Sequence, residues 1–200
     1  MKTKRLSADG SILIPFFLLI LRSPIMDILL FLGAVLLHET GHLAALYRYG
    51  YPPKRISFSC LGAKMETGES YIPYKKEAAI YLSGPAAGLF GCLLAFFLLR
   101  WHFTKAGMLF FSFNLLLTLF NLLPIKGLDG GEALFSLLCL RGEEATAQKI
   151  SEAIHSISLL LLFTFSLYVL KRENNPSLLI LTLSFALGSS EKRKKATKAS

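Results

Sequence analysis

The chain has 200 residues, of which 53% are hydrophobic and 18% are charged, with a formal net charge of +9 at pH 7. This composition excludes an ordinary soluble domain and predicts an all-α polytopic membrane protein. Because the basic residues concentrate in the two ends and one loop, they indicate contact with the lipid bilayer and do not favour a nucleic-acid partner.

Apolar runs predict about six transmembrane helices in one integral membrane domain, residues 1–190, followed by a basic disordered tail, residues 191–200. The first and last predicted spans are short for a bilayer that needs roughly 20 residues per helix. The predicted spans cover residues 11–21, 25–47, 77–100, 107–123, 150–170 and 176–188.

The second predicted span contains the sequence HETGH, with His38, Glu39 and His42 inside an otherwise apolar run. Histidines at i and i+4 lie on one face of a helix. This spacing suits a tetrahedral zinc that takes one more protein ligand and keeps one position open. Ionisable groups at membrane depth are costly and usually face a cavity or a partner. A functional site is therefore favoured over simple helix packing.

Two features between this span and the next are also informative. The loop of residues 50–76 contains alternating residues and glycines around 56–72, which predict a short β-hairpin. The next span contains Gly84 and Gly88 as a GxxxG pattern, which predicts close packing against the HETGH helix.

A polar stripe follows on the third full span, where Asn114, Thr118 and Asn121 share one face of an apolar helix. These side chains either form interhelical hydrogen bonds or line an aqueous site, and the pattern leaves both readings open. Asn121 is the stronger functional candidate because it adjoins the helix break that follows.

Four residues are candidates for a third metal ligand: Asp129, Glu132, His102 and His155. Asp129 is favoured because it follows a proline-broken segment, and broken backbone at membrane depth must be buried in protein or face a water-filled cavity. Alternatively, Asp129 is a helix N-cap that forms a capping box with Glu132. His102 is expected at the opposite interface.

A second alternative uses His155. Glu39–His42 and Glu152–His155 are two ExxH pairs, as in di-iron carboxylate bundles. Such a site also requires a glutamate from each of two further helices, and the two spans at 77–100 and 107–123 contain only Glu77, at a border. The di-iron hypothesis is therefore disfavoured, and Glu152 and His155 are expected to pack or snorkel at the cytoplasmic edge.

With six spans, most lysines and arginines fall on the side that carries both ends of the chain. The positive-inside rule then predicts a multi-pass protein of the cell membrane with cytoplasmic N- and C-termini.

Three motifs together resemble the site-2 protease family of intramembrane zinc metalloproteases. They are HETGH in one span, Ser-Gly-Pro from Ser83 in the next, and Asn-Leu-Leu-Pro-Ile-Lys-Gly-Leu-Asp-Gly-Gly from Asn121 in the third. They occur in the family's order on consecutive spans, within residues 11–140. The compact form, without a PDZ insertion, is similar to the branch that includes the sporulation sigma-factor-processing protease.

The resemblance implies a three-helix catalytic core with Zn2+ bound by His38, His42 and Asp129, and Glu39 as catalytic base. One position departs from the family: Gly88 stands where many members have Asn or His. Whatever that residue does for the substrate must come from elsewhere, and Asn121 is the candidate for a substrate-binding or oxyanion role.

We therefore predict a zinc-dependent metalloendopeptidase that cleaves membrane-protein substrates within or near their transmembrane segments. Glu39 would take a proton from the attacking water, and the hairpin would hold the unwound substrate by strand addition. The competing class is an inactive zinc-binding membrane scaffold that holds client helices. A regulatory membrane partner or a homo-oligomer is compatible with either function.

Overall fold

The computed structural model describes residues 5–8, 24–59, 62–68 and 71–186. The first predicted span, 11–21, and the predicted tail, 191–200, lie outside these residues. Within the described residues the chain forms three β-strands and six α-helices.

The described part of the chain is mostly helical. The helices are α1 Ile25–Arg48, α2 Tyr74–Trp101, α3 Lys105–Asn121, α4 Asp129–Cys139, α5 Glu144–Glu173 and α6 Ser177–Ala186. Among them α1, α2 and α5 are long and apolar enough to cross a membrane, whereas α3 and α6 are apolar but shorter. The structure thus contains three candidate spans, and crossing by the other predicted segments stays a prediction.

Prolines and a left-handed residue mark several helix boundaries. Pro24 and Pro73 immediately precede α1 and α2, where the missing N–H of proline removes no intrahelical hydrogen bond. Asn174 ends α5 with φ of 50°, a left-handed conformation that stops many helices.

The residues group into two compact units that divide after Leu122. In the first unit α1, α2 and α3 pack against one another, and the Phe31 and Phe113 rings meet edge to face with centroids 5.6 Å apart. The opposite face of α2 exposes large apolar side chains, Phe90 and Phe97 among them. This pattern suits a helix that turns its small residues to its neighbours and its large ones to lipid.

The first unit also contains a three-stranded sheet in the order β1-β2-β3. Strand β1 (Arg5–Ala8) pairs in parallel with β2 (Arg55–Ser59), and β2 pairs antiparallel with β3 (Gly62–Glu66). Strands β2 and β3 both lie inside the 50–76 connection, where the sequence predicts a β-hairpin. Because β2 is central, the outer edge available for a further strand on this side belongs to β3.

The second unit begins at the helix break between α3 and α4 and continues through α4, which packs against α5. Two side chains of the break are buried, with Ile125 at 0% and Leu128 at 3% exposure, whereas Lys126 and Gly127 between them are exposed. Burial of Ile125 and Leu128 anchors both ends of this exposed turn.

Candidate metal centre

The HETGH sequence lies on α1, and its two histidines converge. The Nε2 atoms of His38 and His42 are 3.2 Å apart, and the His38 side chain is 3% exposed. Two nitrogens that each lie about 2.05 Å from a tetrahedral zinc would be separated by about 3.3 Å. The pair therefore has the spacing of two zinc ligands.

His42 is oriented by a second helix. Its Nδ1–H donates to the carbonyl oxygen of Ile80 on α2, at 2.8 Å. With the proton on Nδ1, Nε2 carries no hydrogen, and its lone pair points toward His38. Metal-binding histidines typically donate their other ring N–H in this way, which fixes both the tautomer and the ring plane.

Gly84 on α2 is in direct contact with both imidazoles. A Cβ atom at this position would collide with the His42 ring and would lie 2.8 Å from His38 Nε2. Only glycine therefore fits between the backbone of α2 and the two rings. The Ser-Gly-Pro motif brings a helix backbone against the histidines.

The close packing of α2 against the HETGH helix is confirmed at Gly84, whereas Gly88 contacts Thr118 of α3. A Cβ at Gly41, between the two histidines, would collide with the Ser83 carbonyl and would lie 2.8 Å from Ala87 Cβ. Small residues on both sides of the crossing allow this approach, as in other membrane helix pairs. The HETGH turn and the Ser-Gly-Pro turn are in contact through backbone as well as through His42.

The polar stripe on α3 divides into packing residues and a terminal residue. Asn114 and Thr118 are 0% exposed, and they fill the space that side chains at Gly91 and Gly88 would otherwise occupy. The Asn114 Oδ1 and Thr118 Oγ1 atoms have no hydrogen-bond partner among the described residues. Packing is therefore the role that these two positions have in the structure.

Asn121 is the last residue of α3 and is half-buried. Its Nδ2 donates to the Leu117 carbonyl oxygen at 3.0 Å. A carboxamide nitrogen carries two N–H groups, so this bond uses one of the two donors.

Asp129 is the first residue of α4, and the N-cap residue is Leu128. The alternative in which Asp129 is an N-cap is therefore wrong. Glu132, its expected capping-box partner, instead accepts from the Gly127 amide at 2.9 Å. A carboxylate in the first turn is still stabilised by the helix dipole, but capping does not account for Asp129.

The sequence predicts a metal site with two imidazole nitrogens and one carboxylate oxygen, a donor set found in catalytic zinc sites, which leave a fourth position open. His38 and His42 supply the two nitrogens from the first unit, and their spacing fits zinc. Asp129, the predicted carboxylate ligand, lies in the second unit in the first turn of α4. The two histidines constitute a candidate metal-binding pair.

The other two histidines lie elsewhere. His102 is exposed and caps the far end of α2, 22 residues after Ile80 and so about 33 Å along the helix. His155 is 8% exposed, and its Nδ1 accepts from the Lys126 amide at 3.0 Å. Of the two alternatives for His155, packing or snorkelling at the cytoplasmic edge, its burial agrees with packing. Its bond to a loop amide leaves no local pattern, so sequence reasoning missed it.

Comparisons with known proteins agree with these observations. A family model described as Peptidase family M50 matches residues 98–165, a range that contains Asn121 and Asp129 and excludes the HETGH turn. A curated relative, Stage IV sporulation protein FB of Bacillus subtilis (strain 168), is 29% identical over 159 residues, 76% of this chain and 54% of the relative. The chain thus spans about half the length of that relative.

A solved structure with a similar fold is the Site-2 Protease from Methanocaldococcus jannaschii. The TM-score is 0.69 at 22% sequence identity, with 96% of this chain and 92% of that chain covered. At this identity the likeness concerns the fold alone. The family model and the curated relative agree with the resemblance that the motifs predicted, and the solved structure has a similar fold.

Proposed function

We propose that this chain belongs to the site-2 protease family and is an intramembrane zinc metalloprotease that cleaves membrane-protein substrates within or near their transmembrane segments. The observation that carries the proposal is the 3.2 Å separation of the His38 and His42 Nε2 atoms on a membrane-length helix. Glu39 occupies the adjacent position on that helix. A metal-binding pair and a carboxylate at this spacing are the parts of a hydrolytic zinc site.

In this proposal His38, His42 and Asp129 bind the metal and Glu39 is the general base. Bound zinc would supply a Lewis acid for water activation and carbonyl polarisation. Glu39 takes the proton from the attacking water and can return it to the leaving amine. Ile80 keeps His42 in the tautomer that leaves Nε2 available. The long apolar span around these residues limits the access of bulk water to the site.

The substrate must present an extended backbone, because a helical amide is shielded by its own hydrogen bonds. Strand β3 has an outer edge to which an unwound segment could add by backbone pairing. Asn121 adjoins the break before α4, and its second amide hydrogen could donate to the substrate or to the developing oxyanion. We propose these two elements as the substrate-contacting part of the site.

We also propose that the chain is a multi-pass protein of the cell membrane with both termini cytoplasmic. The support is the distribution of lysines and arginines among the predicted loops. Because the chain spans about half the length of its curated relative, the identity of its substrate and of any regulatory partner is a separate question.

The test compares the wild-type protein with the Glu39→Gln variant, co-expressed with candidate single-span membrane proteins and purified in detergent for zinc analysis. We expect about one zinc per chain in both proteins and cleavage by the wild type alone. Glu143→Gln, at an exposed position before α5, is the matched control and should cleave normally. Zinc without cleavage in the wild type would support the inactive scaffold, for which Glu39 has no role. Normal cleavage by Glu39→Gln would exclude the mechanism.

A further inference from the structure

Residues 124–128, the five residues immediately before α4, form a short segment with its own hydrogen-bond pattern. The Ile125 amide donates to the Leu123 carbonyl at 2.7 Å, and the Leu128 amide donates to the Ile125 carbonyl at 3.0 Å. Pro124 has no amide hydrogen. We call residues 124–128 the break loop.

The two remaining amides of the break loop depend on side chains. The Lys126 amide donates to His155 Nδ1 at 3.0 Å, and the Gly127 amide donates to a Glu132 carboxylate oxygen at 2.9 Å. Every backbone N–H of the loop is thereby satisfied, which a segment with buried residues on both sides requires. Gly127 has φ of 97°, a conformation that favours glycine and turns its amide toward Glu132.

His155 makes its contribution from a distance. It lies on α5, 29 residues after Lys126, and is 8% exposed. Because Nδ1 accepts a hydrogen bond, the imidazole in this arrangement has its proton on Nε2. No other described side chain bonds to the Lys126 amide, so loss of His155 would remove the side-chain acceptor of this part-buried hydrogen bond.

The break loop is also in contact with the first turn of α4. A Cβ at Gly131 would lie 2.5 Å from the Ile125 carbonyl carbon, so the loop backbone touches the helix at that residue. Asp129, two residues earlier in the same turn, is therefore set in place by the conformation of the loop. Movement of the loop would shift the start of α4 and the Asp129 carboxylate with it.

We infer that His155 and Glu132 are positioning residues for Asp129, acting through the Lys126 and Gly127 amides of the break loop. The inference rests on the proposed function in that it gives Asp129 the role of a zinc ligand. The inference gives α5 a role in supporting the metal site, although none of the proposed metal ligands lies on α5.

The test uses variants that differ in where they place a hydrogen-bond acceptor. In His155→Asn the amide oxygen can occupy the place of Nδ1, whereas His155→Leu removes the acceptor. Zinc affinity is measured by chelator competition, and amide exchange of the 124–128 segment by mass spectrometry. We expect zinc affinity to fall about 10- to 100-fold in His155→Leu, the range for lost outer-shell support. Exchange should accelerate about tenfold or more in the same variant. His155→Asn should stay within about threefold of wild type in both measurements.

The matched control is Ser166→Ala. Ser166 is also buried on α5, at 0% exposure, and bonds the carbonyl of Phe163 in its own helix. This variant should lower thermal stability and leave zinc affinity and loop exchange unchanged. A purely structural role of His155 would give the same result for His155→Leu, with zinc affinity and loop exchange at wild-type values, and would overturn the inference.

Glu132 gives an independent pair of variants. Glu132→Gln keeps an oxygen acceptor for the Gly127 amide, whereas Glu132→Leu removes it, so only the second should lower zinc affinity and accelerate loop exchange. If His155→Leu does not fold, the two Glu132 variants test the inference in its place. Equal zinc affinity and equal loop exchange in these two variants would then count against the inference. Absence of zinc from the wild type would contradict the proposed function, and the exchange measurements would still test the loop contacts.

Discussion

The Nδ1 atom of His42 lies 2.8 Å from the carbonyl oxygen of Ile80, 38 residues later in the chain. One helix thus carries the proposed ligand, and another sets its tautomer and its orientation. Because the donor is a ring nitrogen and the acceptor a backbone oxygen, the relationship depends on how closely α1 and α2 approach.

Replacement of Gly84 by alanine should weaken zinc binding. The added methyl group would collide with the His42 ring and lie 2.8 Å from His38 Nε2, so one ring must move away from its ligand position. We expect about tenfold or greater loss of zinc affinity, measured by chelator competition. Gly33→Ala on α1 is the control, since its Cβ would make an ordinary contact 3.6 Å from the Phe110 ring. Equal zinc affinity in the two variants would show that the contact at Gly84 is unimportant.

Asp129→Ala should lower zinc affinity more than any positioning variant. Loss of an outer-shell partner costs about 10- to 100-fold, and a direct ligand should cost at least the upper value. Zinc per chain is measured after dialysis against a weak chelator. Asp27→Ala is a matched control, because Asp27 also lies in the first turn of its helix, where it interacts with the dipole. A wild-type zinc content in Asp129→Ala would require a different third ligand.

Gly88→Ala should destabilise the bundle by about 1–3 kcal/mol, the usual cost of an inserted methyl group in a tight contact. The steric conflict is with the Thr118 hydroxyl oxygen. Thr118→Ala removes that oxygen, so the double variant should recover most of the loss, measured by thermal unfolding in detergent. Additive effects of the two substitutions would show that the Gly88 and Thr118 positions are not coupled.

Thr118→Val should leave stability unchanged or raise it by about 1 kcal/mol. The Thr118 hydroxyl is fully buried and has no hydrogen-bond partner in the described part of the chain, so an apolar group of the same shape removes a desolvation cost. Thr182→Val is the control, because the Thr182 hydroxyl is equally buried but donates to the Leu178 carbonyl at 2.8 Å. Thr182→Val should be the less stable of the two variants, and the opposite order would contradict the argument.

The sequence predicted the convergence of His38 and His42 because that arrangement is local. Positions i and i+4 of a helix face the same way whatever surrounds them, and the 3.2 Å distance between the two Nε2 atoms follows. The close approach of α2 was predictable for a similar reason, since small residues at a spacing of four leave a groove on one side of a helix.

The bonds to Ile80 and from Lys126 were not predictable from the sequence. Both use backbone groups, and every residue except proline offers the same N–H and carbonyl. The capping alternative for Asp129 failed because the helix begins one residue earlier than that alternative requires, with Leu128 as the N-cap. In the sequence, Gly88 stands where related proteins have a larger side chain. In the structure, the Thr118 side chain of α3 fills the space beside Gly88. No local sequence pattern links these two positions.

The contact of Gly84 with two imidazoles also limits how this protein can vary. No other amino acid fits at Gly84 while both rings keep their positions. Even substitution by alanine is therefore excluded there. Phe90 and Phe97, on the outward face of the same helix, are 63% and 64% exposed and can be replaced by almost any apolar residue. A saturation mutagenesis library of α2 should therefore show two levels of tolerance to substitution. Functional variants should keep glycine at position 84, and they should accept many residues on the outward face of the same helix.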